Sequence, residues 1–350
     1  MKIQHISLST SDKIALISNM QTMLASGIPI LETIDSLLED AKGGQKKLLT
    51  SLRDDLGQGQ HMYYTFSRFP NIFDKVTVNI IKAAEEAGTL DEALKEIKEN
   101  TKKEVEFNNR IKSALIYPMF IVVVFLAVLL LILVVVVPKI ATVFSRLHVS
   151  LPLPTQILIF LSDLVLQQTI PLLFGLTVFI GVMIFLYKRS KKTLINLLTS
   201  LPLISTLARQ IDLTRFSRSL YLLLNAGLPI TTALEFTQEI VVKKEIYKAV
   251  KHAKEEVFAG KRLSQGLKDY KNLIPGIMIK MIESGERSGT LDKSLQEVSD
   301  YLDGQVSNTL RTLTALMEPL LLVLIGVMVG GMMLAIIAPI YGLIGQVGPQ

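Results

Sequence analysis

A run of nineteen consecutive apolar residues, 119–137, restricts the fold of this chain more than any other feature of its sequence. A helix of that length crosses the ~30 Å hydrocarbon core of a bilayer, whereas a helix on a soluble core usually keeps a polar stripe. Two further uncharged stretches follow, Pro171–Leu186 with sixteen residues and Pro319–Tyr341 with twenty-three. The sequence therefore predicts an integral membrane protein with three transmembrane helices.

Charged residues are concentrated in two blocks of the 350-residue chain. Residues 1–116 contain 15 Lys or Arg and 16 Asp or Glu, a net charge of −1, and residues 188–317 contain 20 and 13, a net charge of +7. Only three charged residues lie in 117–187, and only one lies in 318–350. This alternation excludes a wholly soluble or disordered protein, and the absence of cysteine excludes a disulfide-stapled module and thiolate metal sites.

Basic residues flank the apolar runs on one side, which indicates their orientation by the positive-inside rule. Four precede the first run, four follow the second and one precedes the third: Lys102, Lys103, Arg110 and Lys112; Lys188, Arg189, Lys191 and Lys192; and Arg311. Residues 1–7 lack the apolar core of a signal peptide. We therefore expect a multi-pass protein of the inner (plasma) membrane, with the N-terminus and both charged blocks in the cytoplasm and the C-terminus outside.

The two charged blocks are copies of one unit, because four pairs of segments or residues recur at an offset of 200 or 201. The pairs are Leu24–Ile30 with Leu224–Ile230, Gly88–Asp91 with Gly289–Asp292, Arg110 with Arg311, and Pro118 with Pro319. A single one-residue shift over about 95 positions is too orderly for chance. The chain therefore carries a duplicated domain, and each copy ends in an apolar run.

Each copy has the pattern of a helical bundle. Apolar residues at Ile14, Ile17, Met20 and Leu24 follow the helical period, with Ser11 placed as an N-cap. No alternation typical of strands competes with this pattern in either copy. The predicted fold class is all-α: two homologous cytoplasmic helical-bundle domains and three transmembrane helices.

These patterns divide the chain into seven segments, of which the two copies are the largest. They are a first cytoplasmic domain at 1–116, transmembrane helix 1 at 117–137, an extracytoplasmic loop at 138–169, transmembrane helix 2 at 170–187, a second cytoplasmic domain at 188–317, transmembrane helix 3 at 318–341, and an extracytoplasmic tail at 342–350.

Gly-X-Pro segments predict structural corners at the same place in both copies. Gly27 supplies the left-handed residue that ends one helix, and Pro29 stands where the next helix needs no N–H donor. Gly227 and Pro229 repeat the pattern. Gly88 is predicted to have the same role: it ends one helix, and Thr89 or Asp91 caps the next.

These segments, together with Ser284–Gly289 and Leu151–Thr155, resemble the bacterial type II secretion system F-domain family over residues ~12–345. Ser284–Gly289 is similar to that family's Gly-Glu-X-X-Gly signature, and Leu151–Thr155 to its extracytoplasmic loop. Family members are inner-membrane platform proteins of type II secretion, type IV pilus and competence pseudopilus machines. The chain departs from the pattern in the first copy, where Ala84 replaces the first glycine of the signature, and family members often carry a longer stretch before the first domain.

The carboxylates near the corners are the strongest polar candidates. Each fits a helix cap or an ion pair with Arg110 or Arg311, and a partner-docking surface is the alternative interpretation. The docking hypothesis comprises Glu85, Gly88, Asp91, Arg110, Gly285, Glu286, Gly289, Asp292 and Arg311. A weak divalent-cation site, for calcium for example, at Glu85 is a further alternative; otherwise no metal or cofactor is expected.

Glycines of the third span predict a surface for close helix packing. Gly326, Gly330 and Gly331 form a Gly-X-X-X-Gly pattern that lets another helix approach closely. A second copy of the chain or a pilin's transmembrane helix fits this pattern, and packing against lipid is the alternative.

No catalytic motif supports an enzyme. There is no Walker A pattern and no Gly-X-Ser-X-Gly elbow, and the four histidines lack the spacing of metal ligands. They are His5, His61, His148 and His252. We therefore expect no enzymatic activity, and a membrane-tethered signalling enzyme is disfavoured. A small-solute transporter or channel is the alternative function, but the predicted spans lack the charged residues typical of that class.

The resemblance implies a platform that couples a cytoplasmic assembly ATPase to the extraction and polymerisation of pilins or pseudopilins. The implied partners are that ATPase, pilin or pseudopilin transmembrane helices, other inner-membrane assembly proteins and further copies of the chain, with no nucleic acid. Because the second copy carries the net charge of +7, we expect it to face lipid or an acidic partner.

Overall fold

A computed structural model of the chain describes residues 6–147, 153–167 and 202–347. The described residues form helices joined by turns, and no strand occurs among them. The predicted second span at 170–187, the basic cluster at 188–192, His5 and His148 lie outside the described residues. The all-α prediction is confirmed for the part of the chain that is described.

The helices of the first copy are followed by a short helical hairpin. They are α1 Thr10–Ala25, α2 Ile30–Asp40, α3 Gly43–Gly57, α4 Met62–Ser67, α5 Lys75–Ala87 and α6 Leu90–Leu131. A π-helix, Ile132–Val136, continues α6 into α7 Val137–Leu147, and α8 Leu153–Gln167 follows. The second copy repeats the six helices as α9 Pro202–Asn225, α10 Ile230–Ile240, α11 Lys244–Phe258, α12 Leu263–Lys268, α13 Gly276–Ser288 and α14 Leu291–Val347.

The start of α1 corrects one prediction. Ser9, not Ser11, is the N-cap, because the Ser9 Oγ accepts the Asp12 N–H at 3.1 Å. Ser11 lies in the first helical turn, with its Oγ 2.8 Å from the Ser9 Oγ. Two serines with the same capping chemistry stand two positions apart in sequence, so composition alone did not separate them.

The chain divides into two compact units. The first, which we call the bundle unit, comprises Met1–Arg110 and Asn196–Asn308, and the second, the span unit, comprises Ile111–Ile195 and Thr309–Gln350. The six-helix parts of both copies therefore share the bundle unit.

The core of the bundle unit uses equivalent positions of the two copies. Leu16 and Phe216, Ile34 and Leu234, Met62 and Leu263, Ile81 and Ile282, and Leu94 and Leu295 are buried in equivalent pairs. Burying each such side chain stabilises the fold by about 1.5–3 kcal/mol. The copies therefore keep the apolar pattern that each six-helix fold requires, while their side chains differ in size.

The span unit contains the apolar helices. Two described helical stretches, Leu90–Thr142 and Leu291–Gly331, are long and apolar enough to cross a bilayer, with mean hydropathies of 3.8 and 2.2 in their most apolar windows. Only 11% and 6% of those windows are buried, unlike the core helix of a soluble protein. The first contains the predicted span at 117–137, and the second contains residues 318–331 of the predicted span at 318–341. Neither begins at the predicted boundary, because α6 runs without interruption through Pro118 and α14 through Pro319.

The described part of the predicted loop at 138–169 is helical. Helix α8 packs against α7 and the π-helix. The Ser162 side chain is 1% exposed, and its Oγ donates a 2.6 Å hydrogen bond to the Leu133 carbonyl in the π-helix. A π-helical turn interrupts the regular α-helical ladder, so a side-chain donor at this position satisfies a backbone acceptor.

Candidate functional site

The predicted corners have the expected backbone geometry in both copies. Gly27 and Gly227 both have φ 82°, in the left-handed region that favours glycine. The Ile28 N–H donates to the Met23 carbonyl at 3.1 Å, and the Leu228 N–H repeats this bond to Leu223 at 3.0 Å. Pro29 and Pro229 stand immediately before the next helix, where a missing N–H costs nothing. Both segments thus have a left-handed glycine followed by a proline directly before a helix.

Equivalent glutamates cap the short helices α4 and α12. Glu85 accepts the N–H groups of Met62 at 2.8 Å and Tyr63 at 3.3 Å. Glu286 accepts those of Leu263 at 2.6 Å and Ser264 at 3.3 Å, together with the Ser264 hydroxyl. The N-terminal N–H groups of a helix have no intrahelical acceptor, and a carboxylate satisfies them and complements the helix dipole.

The cap interpretation is therefore confirmed for these two glutamates, although the capped helix lies 22–23 residues earlier in the chain. The predicted ion pair of a corner carboxylate with Arg110 does not form. Glu85 instead lies beside His61, with the His61 Nδ1 3.3 Å from the Glu85 Oε1.

A close helix approach explains the first glycine of the signature. A Cβ added to Gly285 would lie 2.6 Å from the Ser294 Cβ and 3.1 Å from the Leu291 Cα, so α13 and α14 approach too closely there for alanine. In the first copy the equivalent residues are Ala84 and Ala93. A methyl group at position 84 is thus matched by a smaller neighbour at position 93, which accounts for the departure from the signature.

The remaining residues of the docking hypothesis lie at the corners or on the long helices. Gly88 and Gly289 end α5 and α13 with φ 74° and 73°. Asp91 and Asp292 are half-buried in the first turns of α6 and α14, where a carboxylate complements the helix dipole. Arg311 is exposed on α14.

The sequence did not predict the contact that joins the two copies. Arg110, at the end of the first copy, donates to both carboxylate oxygens of Asp303 at 2.9 and 2.7 Å and to the Ser307 Oγ at 3.1 Å. Both bonds to Asp303 come from one nitrogen, Nη2, while Nη1 donates to Ser307, so the guanidinium binds two side chains of the second copy. Arg110, which we considered as an ion-pair partner of a corner carboxylate, therefore binds Asp303 of the other copy.

Two arginines on α9 complete this contact from the second copy. Arg218 is 7% exposed, with its guanidinium 5.5 Å from the Phe107 ring centre and 3.9 Å from Asp303. Burial lowers the pKa of Arg218, and the charge of Asp303 opposes that effect. Arg215 donates to the Asn108 Oδ1 at 3.1 Å.

Helix α5 extends the same contact. It packs against α9 and α10, and the Lys75 Nζ lies 2.6 Å from the Glu239 Oε2. We call these residues the inter-copy contact: Lys75, Phe107, Asn108 and Arg110 from the first copy, and Arg215, Arg218, Glu239 and Asp303 from the second. One signal could have revealed it, because Arg215 and Arg218 replace Ala15 and Ser18 at equivalent positions.

A polar cleft of 280 Å³ opens beside the inter-copy contact. Glu96, Lys103, Arg218, Tyr221 and Ser299 are among its lining residues. Burial, reinforced by the charge and hydrogen bond of Glu96, raises the pKa of Tyr221 to about 12. Among the described residues, no three His, Asp or Glu side chains are grouped to hold a metal ion, and Glu85 is engaged by two backbone donors. The cleft is therefore lined by polar groups from both copies.

The glycines of α14 present bare backbone. No atom of the described chain, outside the helix itself, lies within 4 Å of where a Cβ would stand on Gly326, Gly330 or Gly331. No partner for this stretch occurs among the described residues, and close helix packing through the Gly-X-X-X-Gly pattern stays a prediction.

The bundle unit contains two copies of a six-helix fold, and each copy ends in a long apolar helix. These features define a class of duplicated helical proteins that are anchored in a membrane. The chain belongs to the family described as Type II secretion system (T2SS), protein F, whose model matches residues 16–138 and 216–339. The two matches fall on the two copies, so the comparison confirms both the resemblance and the duplication.

Curated relatives cover nearly the whole chain. The Type IV pilus assembly protein PilC of Pseudomonas aeruginosa is 29% identical over 333 residues, which are 94% of this chain and 89% of the relative. The protein of the same name from Thermus thermophilus is 31% identical over 95% of this chain and 82% of its own length. The Type II secretion system protein F of Vibrio cholerae is 27% identical over 95% and 82%.

Proposed function

We propose that this protein is an inner-membrane platform of a type IV pilus or type II secretion assembly machine. In this role it couples a cytoplasmic assembly ATPase to the extraction and polymerisation of pilins or pseudopilins. The observation that carries the proposal is the family match in both copies, joined to relatives named for pilus assembly and type II secretion.

The structure suggests how such a platform transmits a movement. Polar residues of the bundle unit are used to cap helices and to join the two copies, as with Glu85, Glu286 and Arg110. A partner that binds one copy therefore acts on the other through the inter-copy contact. Helices α6 and α14 each continue from the six-helix fold into an apolar stretch, which provides a covalent route toward a pilin helix.

The proposed topology places the bundle unit in the cytoplasm and the C-terminus outside, on the distribution of basic residues around the apolar runs. The partners we propose are the assembly ATPase, pilin or pseudopilin helices, other inner-membrane assembly proteins and further copies of the chain. Deleting the gene should abolish pili or secretion, and the full-length protein should restore them. Unchanged pilus assembly and secretion in the deletion strain would contradict the proposal.

Electrostatic attraction between the basic second copy and an acidic ATPase surface can be tested at one matched position. Lys248 and Lys47 occupy equivalent, exposed sites on α11 and α3. Lys248→Glu should weaken retention of the ATPase by the detergent-solubilised protein, and raising salt should weaken it as well. Lys47→Glu is the control and should have little effect. Retention that is insensitive to both salt and Lys248→Glu would exclude this source of attraction.

The docking hypothesis for the corner residues needs a different design. Glu286→Lys would remove the cap of α12 as well as reverse a surface charge, so a loss of assembly would not separate the two roles. Arg311 is exposed and serves better. Arg311→Glu should impair assembly while the helix content of the purified protein stays unchanged. Normal assembly with this variant would remove Arg311 from the docking surface.

A further inference from the structure

The inter-copy contact covers a face of the first copy that is left open in the second. Val76 and Ile80 of α5 are 5% and 2% exposed, and they line the same narrow space as Arg215, Leu222 and Ile240 of the second copy. Helix α5 is thus buried by α9 and α10. Because the chain is duplicated, α13 of the second copy carries the face that is equivalent to the buried face of α5. In the first copy, α1 and α2 are the equivalents of α9 and α10.

The counterpart face on α13 remains apolar and is exposed at Ile277, whereas Met281 is partly buried and packs against the core. Ile277 and Met281 correspond to Val76 and Ile80 and stand one turn apart on one side of the helix. Ile277 is 44% exposed, against 5% for Val76. Lys280 is exposed beside them, and Lys271 is exposed just before the helix. We call Lys271, Ile277, Lys280 and Met281 the α13 face.

The counterpart of α10 carries the opposite charge. Helix α2 contains four acidic residues, Glu32, Asp35, Glu39 and Asp40, and no basic one. Leu31, on the same helix, is 42% exposed. Glu39 corresponds to Glu239, the residue that pairs with Lys75 inside the chain. An exposed apolar residue among acids is thus complementary to the basic and apolar α13 face.

We propose that the α13 face of one molecule binds helices α1 and α2 of a second copy of this chain. This contact uses the helices equivalent to those of the internal contact of α5 with α9 and α10. Its residues differ, because Leu222 and Ile240 of the internal contact correspond to Thr22 and Asp40. It is heterologous, since each molecule contributes two different surfaces, and such contacts build rings or open filaments rather than closed two-fold dimers. Ala15 and Ser18 stand where the internal contact has Arg215 and Arg218, so the contact between molecules is weaker and reversible.

Cross-linking of the full chain in membranes tests the proposal, because the protein has no cysteine of its own. Cysteines are introduced by Glu39→Cys and Gly276→Cys, at the positions equivalent to Glu239 and Lys75. Two full-length chains with different tags, one carrying each cysteine, are co-expressed and treated with a short bismaleimide. We expect a product that carries both tags. Chains that all carry Glu39→Cys, or all carry Gly276→Cys, should give little product, which distinguishes this contact from a two-fold dimer.

Two further pairs are controls for geometry. Lys75→Cys with Glu239→Cys in one chain should cross-link internally, since those side chains meet at 2.6 Å. Glu39→Cys with Lys251→Cys, an exposed residue of α11, should not join two molecules. Absence of the Glu39–Gly276 product, when the internal pair reacts, overturns the proposal.

A charge on the α13 face provides a second test. Ile277→Glu places a carboxylate opposite acidic α2 and should lower the cross-linked fraction about tenfold, equivalent to ~1.4 kcal/mol. Phe258→Glu is the matched control, because Phe258 is 56% exposed on α11 and should have no effect. If Ile277→Glu leaves the cross-link unchanged but abolishes retention of the ATPase, the α13 face belongs to the ATPase and the proposal is wrong.

Discussion

The two copies of the six-helix fold differ most where they face each other. Both keep left-handed glycines at the corners and a glutamate that caps a short helix. The second copy alone places Arg215 and the buried Arg218 on its first helix, where the first copy has Ala15 and Ser18. Backbone geometry and caps have therefore been retained after duplication, while side chains on one face have diverged to make two non-identical partners.

The asymmetry has a structural consequence. Two identical copies would present the same surfaces, and every contact between them would be available twice. Here Arg110, Arg215 and Arg218 act together on one contact, and the counterpart of Asp303 in the first copy is Lys102. The bundle unit thus joins its copies in one arrangement and leaves the α13 face free.

The largest expected effect comes from removing the shared carboxylate of the inter-copy contact. Asp303→Ala leaves Arg218 buried without its nearest negative charge and frees Arg110, which should cost about 3–5 kcal/mol of unfolding free energy. Lys102→Ala, at the equivalent position of the first copy, is the control and should cost under about 0.5 kcal/mol. Denaturant unfolding followed by circular dichroism measures both. Equal costs would mean that the contact does not stabilise the unit.

The next largest effect concerns Gly285 and Ser294 of the second copy, which stand where the first copy has Ala84 and Ala93. Gly285→Ala should destabilise the protein by about 1–3 kcal/mol, because the added methyl meets Ser294. Gly285→Ala with Ser294→Ala recreates the Ala84–Ala93 pair of the first copy and should recover part of that loss. The coupling between the two substitutions in a double-mutant cycle measures the steric conflict. Strictly additive costs would show that the two positions do not compete for space.

A smaller effect compares the two caps. Glu85→Ala and Glu286→Ala should each cost about 0.5–2 kcal/mol, since each frees two backbone N–H groups at a helix N-terminus. Glu286→Ala should cost more, because Glu286 also binds the Ser264 hydroxyl, whereas the first copy has Tyr63 there. Glu283→Ala, which breaks only an exposed pair with Arg287, is the control in a thermal unfolding series. A greater loss for Glu283 than for the caps would contradict this ranking.

Features determined by neighbouring residues could be predicted from the sequence, and features determined by distant contacts could not. The corners at Gly27 and Gly227 depend on backbone conformation that glycine alone adopts readily, so their residues identify them. The role of Glu286 depends on a helix 22–23 residues earlier, which only the fold brings close. The inter-copy contact and the bond of Ser162 to the π-helix join residues that no local pattern connects.

The smallest expected effect is a dependence on pH that only one copy should show. Asp212 is 4% exposed and accepts the Val242 and Lys243 N–H groups, whereas its counterpart Asp12 is exposed. Burial raises the pKa of Asp212 above its ordinary value, although the two backbone bonds and the charges of Arg215 and Lys243 oppose the shift. A carboxyl whose folded pKa is raised stabilises the fold fully below its unfolded pKa and loses that contribution as pH rises through the folded value.

The stability of the native protein relative to Asp212→Asn should therefore fall as pH rises from about 4, the ordinary carboxyl range, and then level off. Asp12→Asn, at the exposed counterpart position of the first copy, is the control and should show no such trend. Thermal unfolding of the three proteins across that range measures the difference. A native protein that gains stability over Asp212→Asn with rising pH would show that the backbone donors and neighbouring cations outweigh burial. In that case Asp212 would stabilise the second copy as an ionised cap, as Glu286 does, and the two copies would differ in the number of such caps.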